Sequence, residues 1–513
     1  MAALHPPPTK RARDVERFVL ALDRRLETVD RAILVADWDL QSGRSTEGTA
    51  RWQGKRAALL SDPGLLDWVR SAREGRAPFL IRRRLELLER ILLDTRVEQH
   101  PEVVRRRSEL QQRIVSFRPR WKGRRVNRAV IWQVSRTSPR AADRRAAYYA
   151  LEPLYRPLEE ALQQLIAVRN ERARALGFRT FAEMRLGFQG LTPERLAELV
   201  TTAARTARPR IRELRESFED ATGQRGWHPW DLNFARHRRV PLPDRLFPRR
   251  AMLPRVLDAV GQWGFRVERM RFRVVFHDLP SGGLTLAPDP PKDVRILVHP
   301  QGGWLPYSVM FHEVGHAVHS ASIRAPRHLL RWHENIPGFG AFHEGIGGLF
   351  ELIPSRVEWL SAQPGVGRRR AEAFAARARD ASLLDAGWLA GWIRIEQELY
   401  RRPDRDPMPG IARFEREVFG YDAYPTTSFV DSFFVDDPTY CANYLLAILF
   451  GRQLTRELRT LFGEPVWPNA RVGPWLTEHW FAPGSLYDWI PRIQEITGRP
   501  FGADALREDD ARP

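Results

Sequence analysis

The sequence predicts a mainly α-helical protein in two lobes, with one small β-sheet placed directly ahead of an apolar helix. Three observations lead there. Apolar residues recur at helical spacing through most of the chain. β-branched, alternating runs are confined to residues 267–298. A length of 513 residues exceeds what one compact core accommodates.

Taken in order, residues 1–13 form a Pro-rich basic tail expected to be disordered. Val15, Phe18, Val19, Leu22, Leu26, Val29 and Ile33 then mark a helix over 15–35, which Asp37-Trp38-Asp39 is expected to break. Further helices are predicted at 49–60, 64–74, 78–95 and 101–116. Ser138-Pro139 is a helix start, with the pattern running to Gly177, and Thr192-Pro193 starts another that ends near Gly223. The Pro- and Trp-rich stretch from Gly226 to Arg250 reads as an ordered connecting loop. Val267–Phe276 and Val294–Val298 read as strands, two or three in all, whose edge could pair with an extended peptide. The division expected is therefore an N-terminal helical lobe over 14–225, a loop over 226–250, a second lobe over 251–500 and a tail over 501–513.

Composition narrows the class. The single cysteine, Cys441, excludes an internal disulfide and fits a reducing compartment. No run approaches the ~18 apolar residues of a membrane span, and the N-terminus has no secretory core, so a soluble, cytoplasmic chain with no membrane partner is expected. The formal charge is +19, and arginine supplies 78 of the 82 basic residues. They are spread along the chain, and the densest runs, Arg82–Arg84, Arg105–Arg107 and Arg368–Arg370, read as solvated helix faces with no specific nucleic-acid partner.

The apolar helix contains His312-Glu313-Val-Gly-His316. Residues four apart lie one above the other on a helix, so both imidazoles can reach one metal ion. Glu313 then stands beside it, where a carboxylate can take the proton of an activated water. Thirteen histidines in 513 residues give about 0.02 chance occurrences of this pattern. A third protein ligand is needed. The downstream candidates are Glu334, Glu344, Glu351, His319, His333 and His343, and Glu344, which opens the run Glu-Gly-Ile-Gly-Gly-Leu-Phe-Glu351, is preferred. Glu351, two turns on, is assigned a supporting role behind a ligand histidine. Tyr440 and Tyr444 fall on one face of a helix expected after Asp437-Pro438.

Met310-Phe-His-Glu-Val-Gly-His-Ala-Val-His319 and Pro337-Gly-Phe-Gly-Ala-Phe-His-Glu344-Gly-Ile-Gly347 together resemble the helical gluzincin zinc peptidases. The first is similar to thimet oligopeptidase and oligoendopeptidase F, the second to the angiotensin-converting-enzyme family. Weaker similarity lies in Leu165–Phe178 and Pro229–Leu232. The resemblance implies a two-lobed helical metallopeptidase with a deep central channel and one zinc ion (Zn2+) per chain. It implies His312, His316 and Glu344 as ligands, Glu313 as general base, Tyr444 as oxyanion donor and Tyr440 as a substrate contact. The chain departs from the pattern where Ser432 and Phe434 stand near the place of a family histidine, and where Gly348 replaces an aspartate. It also lacks an evident lysine for a substrate's C-terminal carboxylate, which favours internal cleavage.

The expectation is a zinc oligopeptidase acting on internal bonds of short unfolded peptides. The alternatives are a peptidyl-dipeptidase of the converting-enzyme type, a catalytically weak peptide-binding scaffold, and a charge-driven binder of nucleic acid or membrane surface.

Overall fold

The computed structural model describes residues 4–8, 11–45, 48–238, 242–279, 282–331, 335–421 and 427–507. The chain divides into two compact units, each assembled from distant segments. The first comprises residues 1–96, 242–371 and 450–501; the second comprises 97–241, 372–449 and 502–513. Contiguous lobes over 14–225 and 251–500 are therefore not what the contacts give. The boundaries fall inside helices such as Phe79–Glu98 and Tyr440–Phe462, where no loop or composition change marks them.

In the first unit, α1 (Ala12–Gln41) is 30 residues long and buries Val15, Phe18, Val19, Leu22, Leu26 and Val29 along one stripe. It continues through Asp37-Trp38-Asp39 instead of breaking there. Trp38 is fully buried, with the guanidinium carbons of Arg273 and Arg295 5.2 and 5.6 Å from its ring centroid, and that packing outweighs the weak helix propensity of the flanking aspartates. The tail ahead of α1 is held in part: His5 Nδ1 lies 2.6 Å from Asp62 Oδ2, and Trp68 Nε1 donates to the Pro7 carbonyl at 3.0 Å.

Three strands make the sheet: β1 (Phe272–Phe276), β2 (Gly283–Asp289) and β3 (Asp293–Val298), in the order β1-β3-β2. β1 and β3 are parallel with Val274 opposite Ile296; β2 and β3 are antiparallel with Leu284 opposite Leu297. β2 is an edge strand and packs on α2 (Trp304–Ser322), the helix that carries the histidine pair. Val267–Arg269, expected within the first strand, is instead a 3-10 turn.

α3 (Gly340–Glu351) packs closely against α2. The contact needs the glycine between the motif residues: a Cβ on Gly315 would stand 2.9 Å from the Phe350 ring. Both helices are largely apolar and buried, as expected for helices enclosed by their unit.

The second unit is helical apart from a two-stranded ribbon. Helix Pro193–Thr222 has the expected ends: Thr192 Oγ1 accepts from Arg195 N at 3.1 Å, and Gly223 takes φ of 66°. The pattern from Ser138 to Gly177 is interrupted into helices Ala141–Tyr149, Glu152–Tyr155 and Glu159–Ala175. Pro153 and Pro157 lack the N–H groups that a continuous helix requires. The connecting segment expected at 226–250 contains a helix, Pro229–Arg238. Asp231, in its first turn, is drawn into a fully buried ion pair with Arg144 at 2.7 Å. Among the described residues, no helix is long and apolar enough to cross a membrane.

Candidate metal centre

Donor atoms of His312, His316 and Glu344 lie within 4.8 Å of one another. α2 supplies the two imidazoles one turn apart, with ring centroids separated by 4.6 Å, and α3 supplies the carboxylate. His312 presents Nε2 to Glu344 Oε2 at 3.3 Å. Its other ring nitrogen, Nδ1, stands 3.3 Å from Glu351 Oε2. Ser308 Oγ donates to Glu351 Oε1 at 2.9 Å, so the carboxylate behind His312 is itself held.

His316 is buried, and its ring stacks on His343 at 3.8 Å with an interplanar angle of 8°. His343 is thereby a neighbour of the donor set and not a member of it. His319 packs its ring against Phe342 at 5.4 Å. His333 and Glu334 lie outside the described residues.

The donor chemistry suits a divalent ion. Burial, together with His343 and His312 nearby, pulls His316 well below the ordinary histidine value, which keeps the ring neutral with a lone pair to give. Burial also opposes protonation of His312, but its hydrogen bonds to Glu344 and Glu351 outweigh that and raise it well above the ordinary value. A cation between these groups would take the place of that proton. The side chain of His312 remains 22 % exposed, so one side of the cluster is open to water. Space is reserved too: a Cβ at Gly347 would stand 2.7 Å from His312 Cε1 and Nε2 and 2.8 Å from His316 Cε1. Two histidines and one carboxylate, with an open side, make a donor set that can hold a metal ion.

Glu313 is 7 % exposed, and burial pushes its carboxyl up to about 7, against the pull of His312 and Thr285. Thr285 Oγ1, on β2, lies 2.6 Å from Glu313 Oε2 and 3.0 Å from the Glu313 carbonyl. The sheet edge thus fixes the carboxylate that follows His312. Thr285, Ser308 and Gly347 escape sequence reasoning, although Ser308 stands one helical turn before His312 and could have been found by that spacing.

Tyr440 and Tyr444 belong to the second unit, at the start of helix Tyr440–Phe462. Their rings lie 5.1 Å apart, and Phe433 stacks on Tyr440 at 5.8 Å with an interplanar angle of 11°. The helix begins after a left-handed Thr439, φ 69°, whose N–H donates to buried Glu396 Oε1 at 2.6 Å. The short helix Ser432–Asp436 precedes it, capped by Asp431 accepting from Phe433 N at 2.8 Å, with Phe434 fully buried.

No family pattern matches the sequence, and no curated protein matches it. Among solved structures, a carboxypeptidase from Pyrococcus furiosus, in an apo-Mg form, superposes with a TM-score of 0.67 at 16% identity, over 97% of this chain and 98% of its own. That likeness establishes the fold: a mainly helical architecture shared with this carboxypeptidase along nearly the full length of both.

Proposed function

We propose that the protein is a zinc-dependent oligopeptidase that hydrolyses internal bonds of short unfolded peptides. The observation that carries this reading is the convergence of His312, His316 and Glu344 within 4.8 Å, beside a buried Glu313 held by Thr285. The fold shared with a carboxypeptidase supports peptide chemistry.

In this reading His312, His316 and Glu344 hold the ion. When bound, zinc supplies a Lewis acid for the scissile carbonyl and lowers the pKa of water towards ~7. Glu313 takes the proton of the attacking water through the oxygen not engaged by Thr285, and passes it to the leaving amine. Glu351 and Ser308 orient His312 through Nδ1. Tyr444 donates to the developing oxyanion and Tyr440 contacts substrate, roles that rest on the gluzincin resemblance.

A second reading is release from the C-terminus, favoured by the carboxypeptidase neighbour. One experiment separates the two. The purified protein is incubated with a mixed library of short peptides, with and without chelator, and products are read by mass spectrometry. Chelator-sensitive internal cuts establish the oligopeptidase. Single residues or dipeptides lost from C-termini establish the second reading. No cleavage by protein holding one equivalent of metal refutes both and leaves a peptide-binding scaffold.

A further inference from the structure

Between Glu109 and Asp143 the chain has no acidic residue and nine basic ones, almost half of the formal excess of +19. The denser-looking run Arg105–Arg107 is neutralised in place: Arg105 pairs with Glu102 and Glu109, Arg106 with Glu102, and Arg107 with Glu98. Among the described residues, no carboxylate pairs with a basic residue of 110–142.

Their centre is the two-stranded ribbon, with Arg120 opposite Arg125 and Trp121 opposite Arg124. Lys122 and Gly123 make its turn with φ of 48° and 80°, the left-handed pair a two-residue hairpin requires. Alternation along the strands places Arg120 and Arg125 on one face and Arg124 on the other. These three side chains and Lys122 are exposed, and no carboxylate pairs with them among the described residues. Arg118, next to the ribbon, spends its guanidinium on the Val115 and Phe117 carbonyls at 2.7 and 3.0 Å, which leaves its charge uncompensated.

Helix Arg128–Thr137 follows directly, its first turn capped by Asn127 accepting from Ala129 N. Arg128, Trp132 and Arg136 recur every four residues on one face, and Trp132 is 45% exposed. An indole is thus offered to solvent between half-buried Arg128, which also bonds Tyr155, and exposed Arg136.

We propose that this surface, residues 118–136, binds single-stranded nucleic acid without sequence preference. Planar guanidinium groups match phosphate oxygens two at a time, and an exposed indole stacks on any base. The exposed apolar residues suit a lipid surface less well. Val115 and Trp132 belong to different helices, and Val130 and Trp132, two apart, point away from each other, so no continuous apolar face exists to enter a bilayer.

The test uses the full chain and an oligothymidylate of about 20 nucleotides, with binding followed by fluorescence anisotropy across a salt series. The triple variant Arg120→Glu, Arg124→Glu, Arg125→Glu is expected to bind at least tenfold more weakly. It is also expected to flatten the slope of log K against log salt by about 2, at ~0.7 per lost phosphate contact. Trp132→Ala is expected to lose roughly fivefold or more. An equal charge change elsewhere, Arg266→Glu, Arg269→Glu, Arg271→Glu, is expected to leave binding within about twofold of the wild type. Three results overturn the proposal: no oligonucleotide binding by the wild type at low salt, equal loss in both triple variants, or retention only on vesicles containing phosphatidylserine. Thermal melts show that each variant is folded, and peptide turnover is recorded separately.

Discussion

Adjacent glycines on α3 make a sharp test of the metal centre. In Gly347→Ala the added methyl would lie 2.7 Å from His312 Cε1 and Nε2 and 2.8 Å from His316 Cε1, whereas the same change at Gly348 meets nothing within 4 Å. Carbon atoms settle at about 3.5–4.0 Å, so the His312 ring must retreat by roughly 0.8 Å or more. A displacement near 1 Å is enough to cost about 100-fold in a positioned site, and disturbing the support of a ligand costs about 10–100-fold in metal affinity. Gly347→Ala is therefore expected to bind zinc between ten and one hundred times more weakly, measured by competition with a chromophoric chelator. Its circular dichroism should be unchanged, because the strain of about 1–3 kcal/mol is offset in part by the ~0.5–1 kcal/mol that alanine contributes within a helix. Gly348→Ala should keep wild-type affinity and melt at the same temperature or higher. Wild-type zinc affinity in Gly347→Ala would mean that the ion is not held between these rings.

Three further outcomes are expected. Glu313→Gln should retain one equivalent of metal and lose turnover by at least ~100-fold, the scale of a general base; undiminished turnover removes Glu313 from that role. Glu351→Ala should weaken metal binding by about 10–100-fold and Ser308→Ala by less, since each frees His312 Nδ1 in turn, and equal affinities in both would show the ring to be fixed otherwise. Glu396 is fully buried, and burial pushes its carboxyl up to about 8 from an ordinary 4.5. A raised folded-state value means that its stability contribution is complete below about pH 4.5 and is lost as pH climbs towards 8. Glu396→Gln, which imitates the neutral acid and keeps an acceptor for Thr439 N–H, should match the wild type in stability near pH 4.5. By pH 7 it should exceed it by an amount of up to about 3 kcal/mol, and a constant difference across the range would contradict the burial argument.

Much of the centre was legible before any coordinates because it is local. His312 and His316 are one helical turn apart, and that spacing alone brings their rings within 4.6 Å. Glu351 repeats Glu344 two turns on, so its place behind His312 followed once α3 was recognised as a helix. What escaped is set by chain segments that meet only in three dimensions. Thr285 comes from a strand 28 residues before Glu313, and nothing in its own neighbourhood marks it as a partner. Trp38 reads as part of a helix breaker until Arg273 and Arg295 are seen beside it. Asp231 looks like a loop residue until Arg144 buries with it. Charge density along the sequence is likewise a poor guide to pairing: Arg105–Arg107 meet Glu98, Glu102 and Glu109, whereas residues 110–142 contain no carboxylate at all.

The interleaving of segments within the first unit governs how the protein can be made. Asp30 of α1 waits for His328, whose Nε2 it meets at 2.8 Å, and Arg83 waits for Asp488, which it meets at 2.8 Å. Translation at about 5–20 residues per second sets roughly 20–80 s between the appearance of Arg83 and that of Asp488. During that interval Arg83 and Arg90 lack their partner Asp488, although residues 49–74 already cover part of α1, with Phe18 against Trp68. The first unit is completed only when residues 450–501 have been made, so it cannot finish folding ahead of the rest as the first of two successive domains would.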